Sequence, residues 1–221
     1  MIFFLILLLM PVPAFAELEI AAYGGGSFTN KTNITEDSLN LSINNVKFDD
    51  SVTVGGKVGY WFPAFSNILS YGLGVDVFYF RPNISEQTVG LRVGNLQGSG
   101  RLSAINIRTV GIGVDILKLR LELLKDDHFQ QGRFQPYITA GPAIFLTEFK
   151  QDNEKANDTK LGLKAGGGVQ VLFTNMVGLF AEYRFTHYVG AVDVEFSPVD
   201  TRTLEGDINT HHLVGGLALH F

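Results

Sequence analysis

Leu69-Ser-Tyr-Gly-Leu-Gly-Val-Asp-Val-Phe-Tyr-Phe80 sets Leu69, Tyr71, Leu73, Val75, Val77 and Tyr79 at odd positions, with Ser70, Gly72, Gly74 and Asp76 between them. Successive side chains of a strand point to opposite faces, so this stretch reads as a β-strand with one apolar and one polar wall. The same period runs through residues 160–173, where Leu161, Leu163, Ala165, Val169, Val171 and Phe173 oppose Lys160, Gly162, Lys164, Gly166, Gly168 and Gln170. It recurs over 177–185, with Leu179, Ala181 and Tyr183 against Gly178, Glu182 and Arg184. It ends the chain, with Leu213, Leu217, Leu219 and Phe221 against His212, Gly216, Ala218 and His220.

Strands over about 18–29, 52–62, 104–117 and 135–148 bring the number to eight. Each approaches or exceeds the ~9–11 residues that a tilted membrane strand needs. The alternation slips twice around 104–123. Ile105 and Ile107 share one parity, Val110, Ile112, Val114 and Ile116 take the other, and Leu117, Leu119, Leu121 and Leu123 flip again. A slip of one residue exchanges the faces, so a bulge or a strand end is expected there. Long polar connections (30–51, 81–103, 149–159 and 190–206) alternate with short ones (63–68 and 174–176), and 118–134 is a longer charged connection on the short side. Leu39, Leu41 and Ile43, and Val89, Leu91 and Val93, alternate inside two of the long loops. They extend hairpins beyond the wall or raise the strand count to ten.

The polar walls are unsuited to face bulk water. They are rich in glycine and carry few charges, of both signs: Glu19, Lys57, Asp76, Asp115, Lys164, Glu182 and Arg184. The lumen of an eight-stranded barrel is just wide enough to be filled by side chains. Charges held there must pair. Lys57, Asp76, Asp115, Lys164, Glu182 and Arg184, joined by Glu19 and His212, are therefore the candidate lumen network. The apolar walls then face lipid. Tyr23, Tyr60, Trp61, Tyr71, Tyr79, Phe80, Tyr137, Phe145, Tyr183 and Tyr188 near strand ends are expected as interfacial girdles on that face.

Composition agrees. The 221 residues are 46% hydrophobic and 18% charged, with 25 glycines and no cysteine. That charged fraction is below the roughly 25% of soluble domains. Zero cysteines exclude disulfides and thiolate sites, and the net charge of −5 leaves no basic footprint for nucleic acid. The apolar run from Ile2 to Met10 is too short to span a bilayer, which takes about 20 residues. With Pro11 and Pro13 after it and Ala14-Phe15-Ala16 as a small-residue site, residues 1–16 read as a signal peptide, and residues 17–221 as one barrel domain. Only the amino terminus supplies positive charge ahead of that run.

Thr210-His-His-Leu-Val-Gly-Gly-Leu-Ala-Leu-His-Phe221 resembles the terminal strand of bacterial outer-membrane proteins. Tyr71-Gly-Leu-Gly-Val-Asp76, Pro136-Tyr-Ile-Thr-Ala-Gly-Pro142 and Gly166-Gly-Gly-Val-Gln170 look like the small eight-stranded porin-like barrels, a family that includes the membrane domain of outer membrane protein A. The resemblance implies an all-β, closed antiparallel transmembrane barrel in the outer membrane of a Gram-negative bacterium. It also implies recognition of Leu217, Leu219 and Phe221 by the barrel assembly machinery.

No HExxH, P-loop or GxSxG motif occurs. The runs Gly24-Gly-Gly26 and Gly166-Gly-Gly168 lie inside strands, whereas phosphate cradles open helices. His211 and His212 point to opposite faces and cannot chelate one metal. No catalytic, cofactor-binding or metal residues are therefore assigned. Three readings compete: a structural or surface-interaction barrel whose loops contact an extracellular ligand, a narrow passive pore, and a rim-located lipid-modifying enzyme. The first is preferred, because Phe78 and Phe180 with paired charges obstruct a pore and no serine is placed beside a histidine. The mature protein is expected to begin at Glu17. Mass spectrometry of the N-terminus from an envelope fraction checks this, and a retained Met1 contradicts it.

Overall fold

The computed structural model describes residues 17–36, 41–62, 68–151, 154–197 and 200–221. The signal-peptide segment and most of the 63–68 turn lie outside the described residues, as does Leu39. Twelve strands follow in chain order: β1 (Glu17–Thr29), β2 (Thr32–Glu36), β3 (Leu41–Val46), β4 (Ser51–Trp61), β5 (Leu69–Phe80), β6 (Gln87–Val93), β7 (Leu96–Leu102), β8 (Asn106–Leu121), β9 (Phe134–Gln151), β10 (Glu154–Leu172), β11 (Val177–Ser197) and β12 (Asp200–His220).

Eight of them, β1-β4-β5-β8-β9-β10-β11-β12, form the wall in that order, all antiparallel, and β12 pairs back onto β1 from Glu19↔His220 to Thr29↔Thr210. The wall is closed. Leu18 and Phe221 exchange backbone hydrogen bonds of 2.9 Å, which puts the start of β1 and the C-terminus at one rim, alongside the short turns. Asp126 in the 122–133 turn accepts the backbone N–H groups of Phe129 (2.7 Å) and His128 (2.8 Å), which hold its carboxyl below the usual range.

Outward-facing residues are exposed and apolar: Leu18, Ile20, Val54, Val58, Leu73, Val75, Val77, Ile112, Val114, Ile138, Ile144, Leu163, Leu179 and Leu217 among them. On β1 this band runs from Leu18 to Phe28. About ten residues at ~3.3 Å each and a tilt of ~40° give roughly 25 Å, the height of the lipid-facing band of outer-membrane barrels.

The wall strands are longer than the sequence pattern suggests. The connections expected over 149–159 and 190–206 are instead β9–β10 and β11–β12 continuing as one paired hairpin each, Glu154↔Gln151 and Ser197↔Asp200 closing their tips. Water supports such strands as well as lipid does, but no apolar wall is needed there, so the period disappears from the sequence. The two loop hairpins, β2–β3 and β6–β7, do not enter the barrel. They continue the sheet from the upper part of β12 in the order β2-β3-β6-β7, which leaves eight strands in the wall. Gly94, the first residue of the two-residue β6–β7 turn, has φ 56°, a value that favours glycine.

The first parity slip is not a bulge. Ile107 points inward like Thr109, and it is apolar because it packs with Val46, Ile84 and Val89 under the loop hairpins, above the lipid band. The second slip is a bulge. Register shifts occur between Gly113 and Leu117 of β8 against β9 and, opposite Asp115 and Lys118 of β8, between Gly72 and Gly74 of β5. Ile116 and Leu117 are consequently both exposed. Gly141 faces the extra residue, and a Cβ there would run into the carbonyl of Val114. Gly141→Ala should therefore destabilise the barrel by ~1–3 kcal/mol. Gly167→Ala, whose Cβ meets nothing closer than 3.5 Å, should be neutral. Urea unfolding of the refolded protein in detergent compares the two.

Candidate functional site

The lumen is built in layers, each set by which strand positions point inward. At the rim beside the termini, Arg120 grips Glu17 through Nη1–Oε1 (3.0 Å) and Nη2–Oε2 (2.5 Å). His220 bonds both Glu17 and Gln170, and Ser70 bonds Glu122. One layer up, Lys118 Nζ is 3.2 Å from Glu19 Oε2, which also accepts the Trp61 indole N–H at 2.6 Å. Lys118 and Arg120 both lie over the Trp61 ring, at 4.2 and 4.5 Å.

The middle holds two linked clusters. Lys57 Nζ meets Glu182 Oε2 at 3.1 Å and lies 4.0 Å from the Phe180 ring centroid, while Tyr137 OH donates to the same Glu182 oxygen at 2.8 Å. Arg184 donates from Nε (2.9 Å) and Nη2 (2.6 Å) to Glu182 Oε1 and from Nη1 (2.7 Å) to Tyr23 OH. Its Nη1 is also 2.9 Å from Asp76 Oδ2, and Tyr23 OH donates to Asp76 Oδ1 at 2.5 Å. Lys164 Nζ bridges Asp76 (2.8 Å) and Asp115 (2.9 Å). All these ionic groups are buried, Arg184 to 1% exposure. Inward glycines make room for the rings: a Cβ at Gly55 would meet Tyr23, and one at Gly168 would meet Tyr137.

Aromatic rings close the layer above. Phe78 stacks on Phe80 (6.1 Å), Phe145 stacks on Tyr188 (4.3 Å), and the His212 ring stands edge-on to Phe80 at 5.0 Å, with Nε2 3.1 Å from Thr186 Oγ1. The apolar cluster of Val46, Ile84, Val89 and Ile107 lies beyond.

Lys57, Asp76, Asp115, Lys164, Glu182, Arg184, Glu19 and His212 thus all face the lumen. Leu217, Leu219 and Phe221 face outward, each at least 43% exposed. Sequence reasoning missed Glu17 because it began the first strand at Leu18, and Lys118, Arg120 and Glu122 because it ended β8 at the bulge. The signal was present: once Leu117, Leu119 and Leu121 face lipid, the even residues between them must face the lumen.

The girdle expectation needs correcting. Tyr23, Trp61, Phe80, Tyr137, Phe145 and Tyr188 are buried inside, where glycines on neighbouring strands admit large rings. Tyr60, Tyr71, Tyr79 and Tyr183 occupy outward positions. Tyr60, Phe62 and Tyr71 cluster near one rim (5.1 and 5.6 Å), and Tyr183 stacks on His211 near the other.

Among the described residues no group of His, Asp and Glu is arranged to hold a metal ion. Ser70 and His220 share the lower rim but bond different partners, so no serine–histidine relay is assembled there. On the loop side, a cleft of about 420 Å³ lies between β2, β3 and the β6–β7 turn, lined by Thr35, Glu36, Leu41, Ser42 and Arg92.

A family model described as "Outer membrane protein beta-barrel domain" matches residues 2–221. Among solved structures, the fold is similar to Ail of Yersinia pestis, crystallised with the heparin analogue sucrose octasulfate (15% identity, 94% of this chain and 99% of that one, TM-score 0.45). It is also similar to Neisserial surface protein A (14%, 93% and 97%, 0.47) and to OprG of Pseudomonas aeruginosa (13%, 94% and 96%, 0.49). No curated protein matches the sequence.

Removing one member of the middle cluster strands its partners in low dielectric. Arg184→Ala should cost the barrel ~3–5 kcal/mol, because Glu182 and Asp76 both lose a cation. Arg101→Ala, which breaks an exposed pair with Glu86, should leave stability unchanged. The temperature at which the heat-modifiable gel band converts to its unfolded mobility ranks the two.

Proposed function

This chain belongs to the outer membrane protein β-barrel domain family, and we propose that it serves as a sealed outer-membrane scaffold that displays a β-sheet for surface interaction. The carrying observation is the continuous filling of the lumen, from the Arg120–Glu17 pair through the Lys57–Glu182 and Arg184–Asp76 clusters to the Phe78–Phe80 rings. A conducting path needs water along the axis, and every inward layer is occupied by side chains bonded to one another. The wall meanwhile continues well past the lipid band. β12 runs from Asp200 to about Asn209 before it reaches the His211 level, about ten residues or some 30 Å of strand. Together with β2, β3, β6 and β7 this makes the cleft and sheet that an extracellular ligand would meet.

In this reading residues 1–16 are an export signal cleaved after Ala16, and the termini lie on the periplasmic side. Leu217, Leu219 and Phe221 form the strand face that the barrel assembly machinery recognises. The protein acts by binding rather than by catalysis. Purified, refolded protein in planar bilayers tests the seal. No stable single-channel current is expected from the wild type, and Lys57→Ala with Arg184→Ala should raise the frequency of brief openings. A steady wild-type current would establish the pore instead.

A further inference from the structure

The outward face just above the lipid band is not evenly charged around the barrel. Just past the end of β5, and on the neighbouring strands β8, β9 and β10, its exposed residues include Arg81, Arg108, Lys150 and Lys155. Arg81 is the first outward position beyond Tyr79, and its guanidinium lies over that ring at 5.3 Å. Arg108 is the first beyond Val110, and Lys150 the second beyond Leu146. Each such step of two residues rises about 5 Å along the membrane normal at a ~40° tilt. The polar headgroup region is about 5–8 Å deep on each side. The cations therefore stand at and just above headgroup level.

Two features distinguish this arc from ordinary surface charge. Lys150 and Lys155 stand directly opposite each other across β9 and β10, a pairing of like charges that destabilises a sheet. Among the described residues neither has a carboxylate partner, and the one acid in the arc, Glu148, is only loosely paired with Arg108 at 3.7 Å. Across the barrel, β12 exposes two acids at the same height, Glu205 and Asp207.

We propose that the arc of Arg81, Arg108, Lys150 and Lys155 is a binding site for the phosphate groups of an outer-leaflet glycolipid, whose acyl chains lie against the apolar wall of β5, β8, β9 and β10. A lipid phosphate sits between the opposed lysines and relieves their repulsion, and Arg108 and Arg81 take a second phosphate nearer the membrane. This site rests on the outer-membrane location of the barrel but not on its being sealed. A conducting barrel would carry the same arc.

The test uses the full barrel refolded in zwitterionic detergent and titrated by native mass spectrometry with lipid A bearing both phosphates, or with the same lipid dephosphorylated. The wild type should bind the phosphorylated lipid at least tenfold more tightly. Near a membrane surface each cation contributes about fivefold, so the triple variant Arg108→Ser, Lys150→Ser, Lys155→Ser should bind about a hundredfold more weakly. Glu205→Gln with Asp207→Asn, on β12 across the barrel, should leave the affinity unchanged. Heat-modifiable migration confirms that each variant is folded. Equal binding of the two lipids, or undiminished binding by the triple variant, overturns the proposal. Displacement of the lipid by millimolar inorganic phosphate also overturns it, since the site would then be one for free anions.

Discussion

Inside a hydrocarbon layer a backbone N–H or C=O has no water to turn to, so every one in the wall must find a partner in a neighbouring strand. The pairing of β12 with β1 is the contact that satisfies this condition for the whole molecule. Without it two strands would carry rows of unpaired amides into lipid. With it the strand count, the shared rim of the termini and the alternation of faces follow together. The antiparallel hairpins are local, but the β1–β12 seam joins residues from opposite ends of the chain, so the barrel is complete only when the last strand is in place.

Closing eight strands leaves a lumen of limited width, and that width dictates its contents. Glycines at Gly55, Gly111 and Gly168 let Tyr23, Phe78 and Tyr137 lie across the axis. The remaining space is taken by carboxylates and cations in contact with several partners each. Buried ion pairs are weak evidence for stability when compared with a well-packed apolar core. Here an apolar core carries a separate disadvantage. If both faces of each strand were apolar, a one-residue slip would go unpunished, whereas a polar inner face makes every slipped register put charge into lipid. The Lys57, Asp76, Glu182 and Arg184 network therefore supports register as well as filling.

Above the lipid band the constraint relaxes. Water can satisfy an open edge, so the sheet need not close there, and β2, β3, β6 and β7 spread from β12 to β7, whose outer edge pairs with no other strand among the described residues. The inner face changes character at the same height. Val46, Ile84, Val89 and Ile107 form an ordinary apolar core between the wall and the hairpins, because here the outside is water and the inside is protein. The polarity of the molecule thus inverts along its axis, inside-out in lipid and conventional beyond it.

The alternation of Leu, Val and Tyr with Gly, Ser and charge is a local property, and by itself it determined the strand type, the closed barrel and the inward placement of Lys57, Asp76, Asp115, Lys164, Glu182 and Arg184. It works because lipid imposes period two on every strand that crosses it. Three things only the tertiary structure decided. The burial of Trp61, Tyr137 and Phe145 in the lumen depends on Gly72, Gly168 and Gly162 of neighbouring strands, which make room for them. The reach of β9 to β12 beyond the membrane depends on backbone pairing in water, which demands no pattern of side chains. The membership of Lys118, Arg120 and Glu122 in the lumen depends on the bulge at Ile116 and Leu117, where two neighbouring strands absorb one extra residue and return the chain to its original facing.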